Sequence, residues 1–123
     1  MTLVEEVFAV CARLPDSQRF GLVSQLQRAA VSVPSNIAEG HAKRSSKDYQ
    51  RHLRIAAGSV AELQTQLELC VRLNFVTRDD VRTAWNCSQR VAQMLSRLIR
   101  SIGPRAPRTP NPEPPNADQD TCR

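Results

Sequence analysis

Residues 25–75 read QLQRAAVSVPSNIAEGHAKRSSKDYQRHLRIAAGSVAELQTQLELCVRLNF, two helical patterns separated by a fixed break. In the second pattern Tyr49, Leu53, Ala56, Val60, Leu63, Leu67 and Cys70 recur at alternating four- and three-residue steps. That spacing is the seam of a helix packing lengthwise against other helices. A helix opening at Ser45 and closing near Arg72 is a rod roughly 40 Å long at ~1.5 Å per residue. A fold organised on such a rod is a helical bundle.

Composition agrees with this reading. The 123 residues are 41% hydrophobic, enough for one modest core, yet only 4% aromatic. Leu, Val, Ile and Ala with so few rings suit helices meeting side by side, and alternating β-branched runs are scarce. The chain is therefore read as all-α and, by length, as one domain. Cys11, Cys70, Cys87 and Cys122 have neither a close Cys partner nor a His at metal spacing. Neither a zinc site nor a disulfide framework is expected, and reduced thiols are. Cys11, Cys70 and Cys87 fall inside apolar helical patterns and read as small core residues. The N-terminal stretch MTLVEEVFAV is acidic where a signal peptide would be basic, and no apolar run approaches the ~18 residues of a membrane span. A cytoplasmic protein with no membrane partner is expected.

Four segments carry helical periodicity, each with a physical boundary. The first places Leu3, Val7, Val10 and Leu14 on one face and ends at Pro15. The second starts after Asp16 or Ser17 as N-cap and runs through Leu22, Leu26, Ala30, Val33 and Ile37 to Gly40, read as a left-handed stop. Pro34 lies inside it, so a bend around Val33 to Asn36 is expected, with Ser32, Ser35 and Asn36 placed to bond the freed backbone groups. The third opens at Ser45 with Asp48 three residues on, and Thr77 with Asp80 repeats that cap for the fourth. Short loops make successive helices antiparallel neighbours, giving an up-and-down four-helix bundle over residues 1–102. Residues 103–123 hold six of the eight prolines, and their charges cancel. They read as a disordered, partly polyproline tail, so the net charge of +5 belongs to the folded part.

A small bundle needs one apolar stripe per helix, and the fourth helix has two. Val81, Trp85, Ala92, Leu95 and Ile99 form one stripe, and Cys87, Val91, Met94 and Leu98 form a second beside it. On the third helix Ala57, Gly58 and Ala61 make a small-residue flank that lets another backbone come close. Ala57, Gly58, Ala61, Cys87, Val91, Met94 and Leu98 are the expected self-association surface, because a monomer exposing them is sticky.

Between His41 and Arg54 the sequence HAKRSSKDYQRHLR holds five cations and one Asp. Lys47, Arg51 and Arg54 lie opposite the apolar seam and must face solvent, while Lys43 and Arg44 extend the patch into the preceding loop. Such a stripe suits phosphate backbone, and without interleaved aromatics it has no platform for stacking bases. His41, His52 and Glu39 are too scattered along the chain to read as a metal site. No nucleophile–base grouping, paired carboxylates, Walker loop or dinucleotide fingerprint can be assembled, so neither an enzyme nor a cofactor is expected.

The run QLQRAAVSVPSNIAEG followed by KRSSKDYQRHLRIAAGSVAELQTQLELC closely resembles the four-helix-bundle protein family, also called the ribosomal RNA intervening-sequence protein family. The matching positions include Arg28, Ala29, Ala30, Ser32, Pro34, Asn36, Ile37, Ala38, Glu39 and Gly40, then Gly58, Ser59, Glu62, Leu63, Gln66 and Leu67. Some members are encoded within large-subunit ribosomal RNA genes, and many stand alone in bacterial genomes. A distantly similar accessory protein works with a reverse transcriptase in diversity-generating retroelements. The resemblance implies a ring of antiparallel bundles, five subunits in number, and nucleic-acid binding without enzymatic activity. Members carry a Leu-x-Val-Trp stretch before the first helix that this chain lacks, so its first helix is expected to be short. The expected function is a homo-oligomeric bundle that binds nucleic acid, RNA ahead of DNA, through Lys43, Arg44, Lys47, Arg51 and Arg54. The alternative is a scaffold whose protein partner docks on the oligomer or on the surface of Ser35, Asn36 and Glu39.

Overall fold

The computed structural model describes residues 2–102. The expected tail, residues 103–123, lies outside the described residues. Four α-helices, α1 (Thr2–Cys11), α2 (Ser24–Ala42), α3 (Ser46–Arg72) and α4 (Arg78–Ile102), build the fold, with no strand among the described residues. No helix is long and apolar enough to cross a membrane.

The expected seam is the core. Leu53, Ala56, Val60, Leu63, Leu67 and Cys70 on α3 are at most 1% exposed, and they pack with Leu26, Ala29, Ala30 and Val33 of α2 and Val81, Ala84 and Leu95 of α4. Leu3, Val7, Val10 and Leu14 close the core from the α1 side. Burying a Leu-sized side chain contributes roughly 1.5–3 kcal/mol, so this seam dominates stability. Polar pairs fix the register between helices. Ser32 Oγ lies 2.8 Å from Ser59 Oγ and Asn36 Oδ1 lies 3.0 Å from His52 Nδ1, so partner numbers fall on α3 as they rise on α2. Likewise Gln64 Nε2 donates to Ser88 Oγ at 2.9 Å and Gln50 Nε2 to the Ile99 carbonyl at 3.1 Å.

The helix ends have local causes. Ser45 Oγ accepts from the backbone N–H groups of Lys47 and Asp48, opening α3 as expected. Thr77 and Asp80 cap α4 reciprocally: the Thr77 N–H donates to Asp80 Oδ2 at 2.9 Å, and the Asp80 N–H donates to Thr77 Oγ1 at 3.1 Å. Between them α3 closes with Asn74 in the left-handed region at φ 64°. The Phe75 N–H donates to the Cys70 carbonyl and the Asn74 N–H to that of Val71, the paired bonds of a Schellman stop.

Two expectations on α2 are corrected. Neither Asp16 nor Ser17 caps it. A 3₁₀ turn, Asp16–Gln18, follows Pro15 without a side-chain cap, and a π-helical turn, Arg19–Val23, leads into α2. A π turn takes up one residue more than an α turn, which resets the helical phase before Ser24. Pro34 lies inside α2, which continues past it to Ala42. Of the polar side chains near it, Asn36 Nδ2 donates to a backbone group, the Ser32 carbonyl, at 2.9 Å, and Ser32 reaches Ser59 on α3. Gly40 is not a left-handed stop, since no described glycine has positive φ. Its place is a close approach, where an added Cβ would sit 2.7 Å from His52 Cβ and 3.0 Å from Tyr49 Cδ1. Only hydrogen fits between α2 and α3 there.

Candidate nucleic-acid interface

The break between α2 and α3 builds the cationic surface. Lys43 turns extended at φ −78°, ψ 150°, which ends α2, and the Ser45 cap restarts the helix within three residues. Lys43 and Arg44 are exposed in the break, and Lys47, Arg51 and Arg54 are exposed as the helical phase of α3 requires. The one carboxylate inside the stripe, Asp48, comes within 3.9 Å of Arg51 Nε, an exposed pair too loose to neutralise it. No ion pair among the described residues engages Lys43, Arg44, Lys47 or Arg54. Four cations are thus left to face an external anion.

A polar ladder runs beneath the stripe. His52 is 5% exposed, and its neighbour Asn36 already uses Nδ2 as a donor to Ser32. Asn36 Oδ1 therefore accepts from His52 Nδ1–H, which leaves Nε2 as an acceptor 3.4 Å from Arg51 Nη2. His41 stands apart, edge-on to the Tyr49 ring with centroids 5.8 Å apart. The two imidazoles therefore serve packing and hydrogen bonding on separate partners. Among the described residues no three His, Cys, Asp or Glu side chains converge as metal ligands.

Of the family-pattern residues, Arg28 and Glu39 are exposed, Pro34 and Asn36 are half-buried, and Gly40 is buried. Asn36 and Gly40 meet α3 at the same residue, His52, whereas Arg28 and Glu39 remain on the surface.

The expected self-association surface is only partly free. Cys87 is 4% exposed and belongs to the core of its own chain, a correction. The reason is geometric: α4 packs against α1 as well as α3, so its own bundle covers a wider arc than a single seam. Val91 and Leu98 are half-buried against that core. Met94 is 40% exposed, Ala57 is half-buried, and Gly58 and Ala61 are exposed. A Cβ added at Gly58 meets nothing within 4 Å, so nothing among the described residues requires the glycine.

Helical spacing by itself did not reveal Phe20, which the π turn leaves 88% exposed with the Arg19 guanidinium 5.8 Å from its ring centroid. Phe20, Val23 and Val31 line a shallow depression with Ser24, Gln27 and Arg28. The available signal was the spacing of Phe20, Ser24, Gln27 and Val31 on one face, opposite the buried Leu26 and Val33.

Cys11, Cys70 and Cys87 are buried free thiols. Burial, then the neighbouring Cys70, pushes the Cys11 thiol up to about 11, and burial raises Cys70 as well. At the far end of α3, hydrogen bonds from Arg78 and Arg72 hold the Glu68 carboxyl below its ordinary value. The backbone and hydroxyl of Thr77 do the same to Asp80.

Comparison with known proteins places this geometry. The family model described as 23S rRNA-intervening sequence protein matches residues 1–97. Among solved structures, one similar chain is a protein of unknown function from the S23 ribosomal protein family of Bacteroides thetaiotaomicron. It is 23% identical, with 79% of this chain and 97% of that chain covered and a TM-score of 0.63, a likeness of fold. No curated protein matches.

Proposed function

The chain belongs to the 23S rRNA-intervening sequence protein family, and on that premise we propose that it is a non-enzymatic, cytoplasmic bundle that self-assembles and holds nucleic acid by its phosphates. The observation that carries this reading is the exposed cationic stripe of Lys43, Arg44, Lys47, Arg51 and Arg54, with Asp48 its one loose internal partner. Arginines can grip phosphate bidentately, and the lysines add point charges. The one Tyr beside them, Tyr49, is half-buried with His41 packed edge-on to its ring, so contacts of this kind follow backbone shape more than sequence. The family's link to a ribosomal RNA intervening sequence puts structured RNA ahead of DNA.

Assembly is part of the same reading. The helices form an up-and-down antiparallel bundle, supported by the descending partner numbers between α2 and α3. Copies meet through Ala57, Gly58, Ala61 and Met94, with Val91 and Leu98 at the margin, and close into a ring of five. Repeating the stripe around a ring multiplies a weak phosphate contact into useful avidity. The test is a variant with Lys43, Arg44, Lys47 and Arg51 all changed to Glu. Binding to a structured RNA is expected to vanish while helicity and sedimenting mass stay as in the parent. Retained binding overturns the assignment. A protein partner is the second reading, favoured by Phe20 standing 88% exposed beside Val31, and a pull-down that keeps its partner after nuclease treatment supports it.

A further inference from the structure

We propose that the phosphate-binding surface is two helices wide, with Arg97 and Arg100 of α4 forming a second cationic row beside the α3 stripe, and that its ligand is a double-stranded RNA segment. This rests on the reading of the stripe as a phosphate-binding surface and adds two residues and a ligand class to it. Charge on α4 is one-sided. From Val81 to Ile102 the helix holds Arg82, Arg90, Arg97 and Arg100 and no Asp or Glu. Arg82 pairs with Asp79 at 3.0 Å, at the far end of the helix. Arg97 and Arg100 are exposed, and among the described residues neither meets a carboxylate. Arg100 Nη1 donates to Ser96 Oγ at 3.1 Å, which leaves the other guanidinium N–H groups for an anion.

Two contacts place this row. Gln50 Nε2 donates to the Ile99 carbonyl and Gln64 Nε2 to Ser88 Oγ, so partner numbers fall on α4 as they rise on α3. Between these contacts Arg100 comes level with residues 47–51 and Arg97 with residues 51–54. At ~100° per residue, Lys47 and Arg54 sit within about 60° of Gln50, on the flank of α3 that adjoins α4. Packed helix axes lie ~8–10 Å apart, and outward-pointing side chains spread the two rows farther. A single strand following one row leaves the other empty, whereas a duplex offers two phosphate backbones across a groove. Neither row has a platform for stacking bases: Tyr49 is half-buried with His41 edge-on to its ring, and α4 has no aromatic after Trp85. A surface that takes backbone from two strands and reads no base edge recognises the shape of an A-form helix.

The test sets the full-length variant R97Q/R100Q against R78Q/R82Q, which removes two arginines already paired with Glu68 and Asp79. Affinities of both variants and of the parent are measured across a salt series for a short RNA duplex and for an unstructured single strand of the same length. The parent is expected to bind the duplex more tightly than the strand. R97Q/R100Q is expected to flatten the salt slope on the duplex by about 2, roughly 0.9 per lost contact, and to lose about tenfold in affinity at ~0.1 M salt. Its affinity for the strand is expected to stay close to the parent's, and R78Q/R82Q is expected to bind both as the parent does. Equal loss on duplex and strand, equal loss in the two variants, or a strand bound as tightly as the duplex overturns the proposal. If R97Q/R100Q keeps the parent's duplex affinity while the four-fold Glu variant of Lys43, Arg44, Lys47 and Arg51 loses it, the α4 row falls and the α3 reading stands. If the parent binds neither RNA, both fall.

Discussion

Replacing Gly40 by Ala probes the closest approach in the bundle. The added Cβ would lie 2.7 Å from His52 Cβ and 3.0 Å from Tyr49 Cδ1, where carbon atoms prefer about 3.5–4.0 Å. Tyr49 can turn aside, but His52 Cβ is fixed to the α3 backbone, so α2 and α3 must separate locally by roughly 1 Å. Overpacking of this kind costs about 1–3 kcal/mol, and a backbone-anchored neighbour puts the cost at the upper end. Ala gains about 1 kcal/mol over Gly inside a helix. The difference is a destabilisation of about 2 kcal/mol, or about 10 °C in Tm for a domain of this size. Separation also strains the Asn36–His52 and Ser32–Ser59 bonds, at 3.0 and 2.8 Å. Urea unfolding followed by circular dichroism, at one fixed protein concentration, measures it. A variant as stable as the parent refutes the close-approach account.

Gly58→Ala meets open space in its own chain, so at concentrations where the protein is dissociated it should gain about 1 kcal/mol. Gly58→Leu should lower the sedimenting mass without loss of helicity, and an unchanged mass removes this face from the assembly. Thr77→Ala deletes the hydroxyl that accepts from the Asp80 N–H and should cost about 1 kcal/mol in urea unfolding at neutral pH. The Thr77 backbone N–H, which this variant keeps, is the first cause holding the Asp80 pKa below its ordinary 3.8 and the hydroxyl is the second, so only the hydroxyl's share in that shift is present above that value and lost as pH falls through the folded pKa. The gap between parent and variant should therefore narrow in acid, and a constant gap contradicts the cap's electrostatic part. Cys11, raised to about 11 and buried, should react with a thiol reagent at pH 8 only as fast as the chain unfolds, and a rapid stoichiometric reaction contradicts its burial.

Much of the fold was legible because periodicity reports which face is buried. The α3 seam from Leu53 to Cys70 is buried residue for residue, and the Ser45 and Thr77–Asp80 caps stand where their side chains require. Gly40 was misread because a glycine ending an apolar run looks like a helix stop, and only the crossing partner, His52, reveals that it is a contact. Cys87 was misassigned because the width of an apolar arc does not say how many neighbours cover it; α1 takes up part of it. Phe20 was missed because the second pattern was read only along its apolar face from Leu22 onward, whereas Phe20, Ser24, Gln27 and Val31 share the opposite face. At the stripe, exposure followed directly from phase, whereas the link from Arg51 through His52 to Asn36 needs two helices at once.

The salt dependence of RNA binding by the full-length protein tests the central claim most directly. Five exposed cations gripping phosphates predict that log K falls linearly with log salt with a slope of about −4, steeper if several subunits engage one molecule. A slope near zero, or no binding at low salt, contradicts the assignment of Lys43, Arg44, Lys47, Arg51 and Arg54 as a phosphate-binding surface.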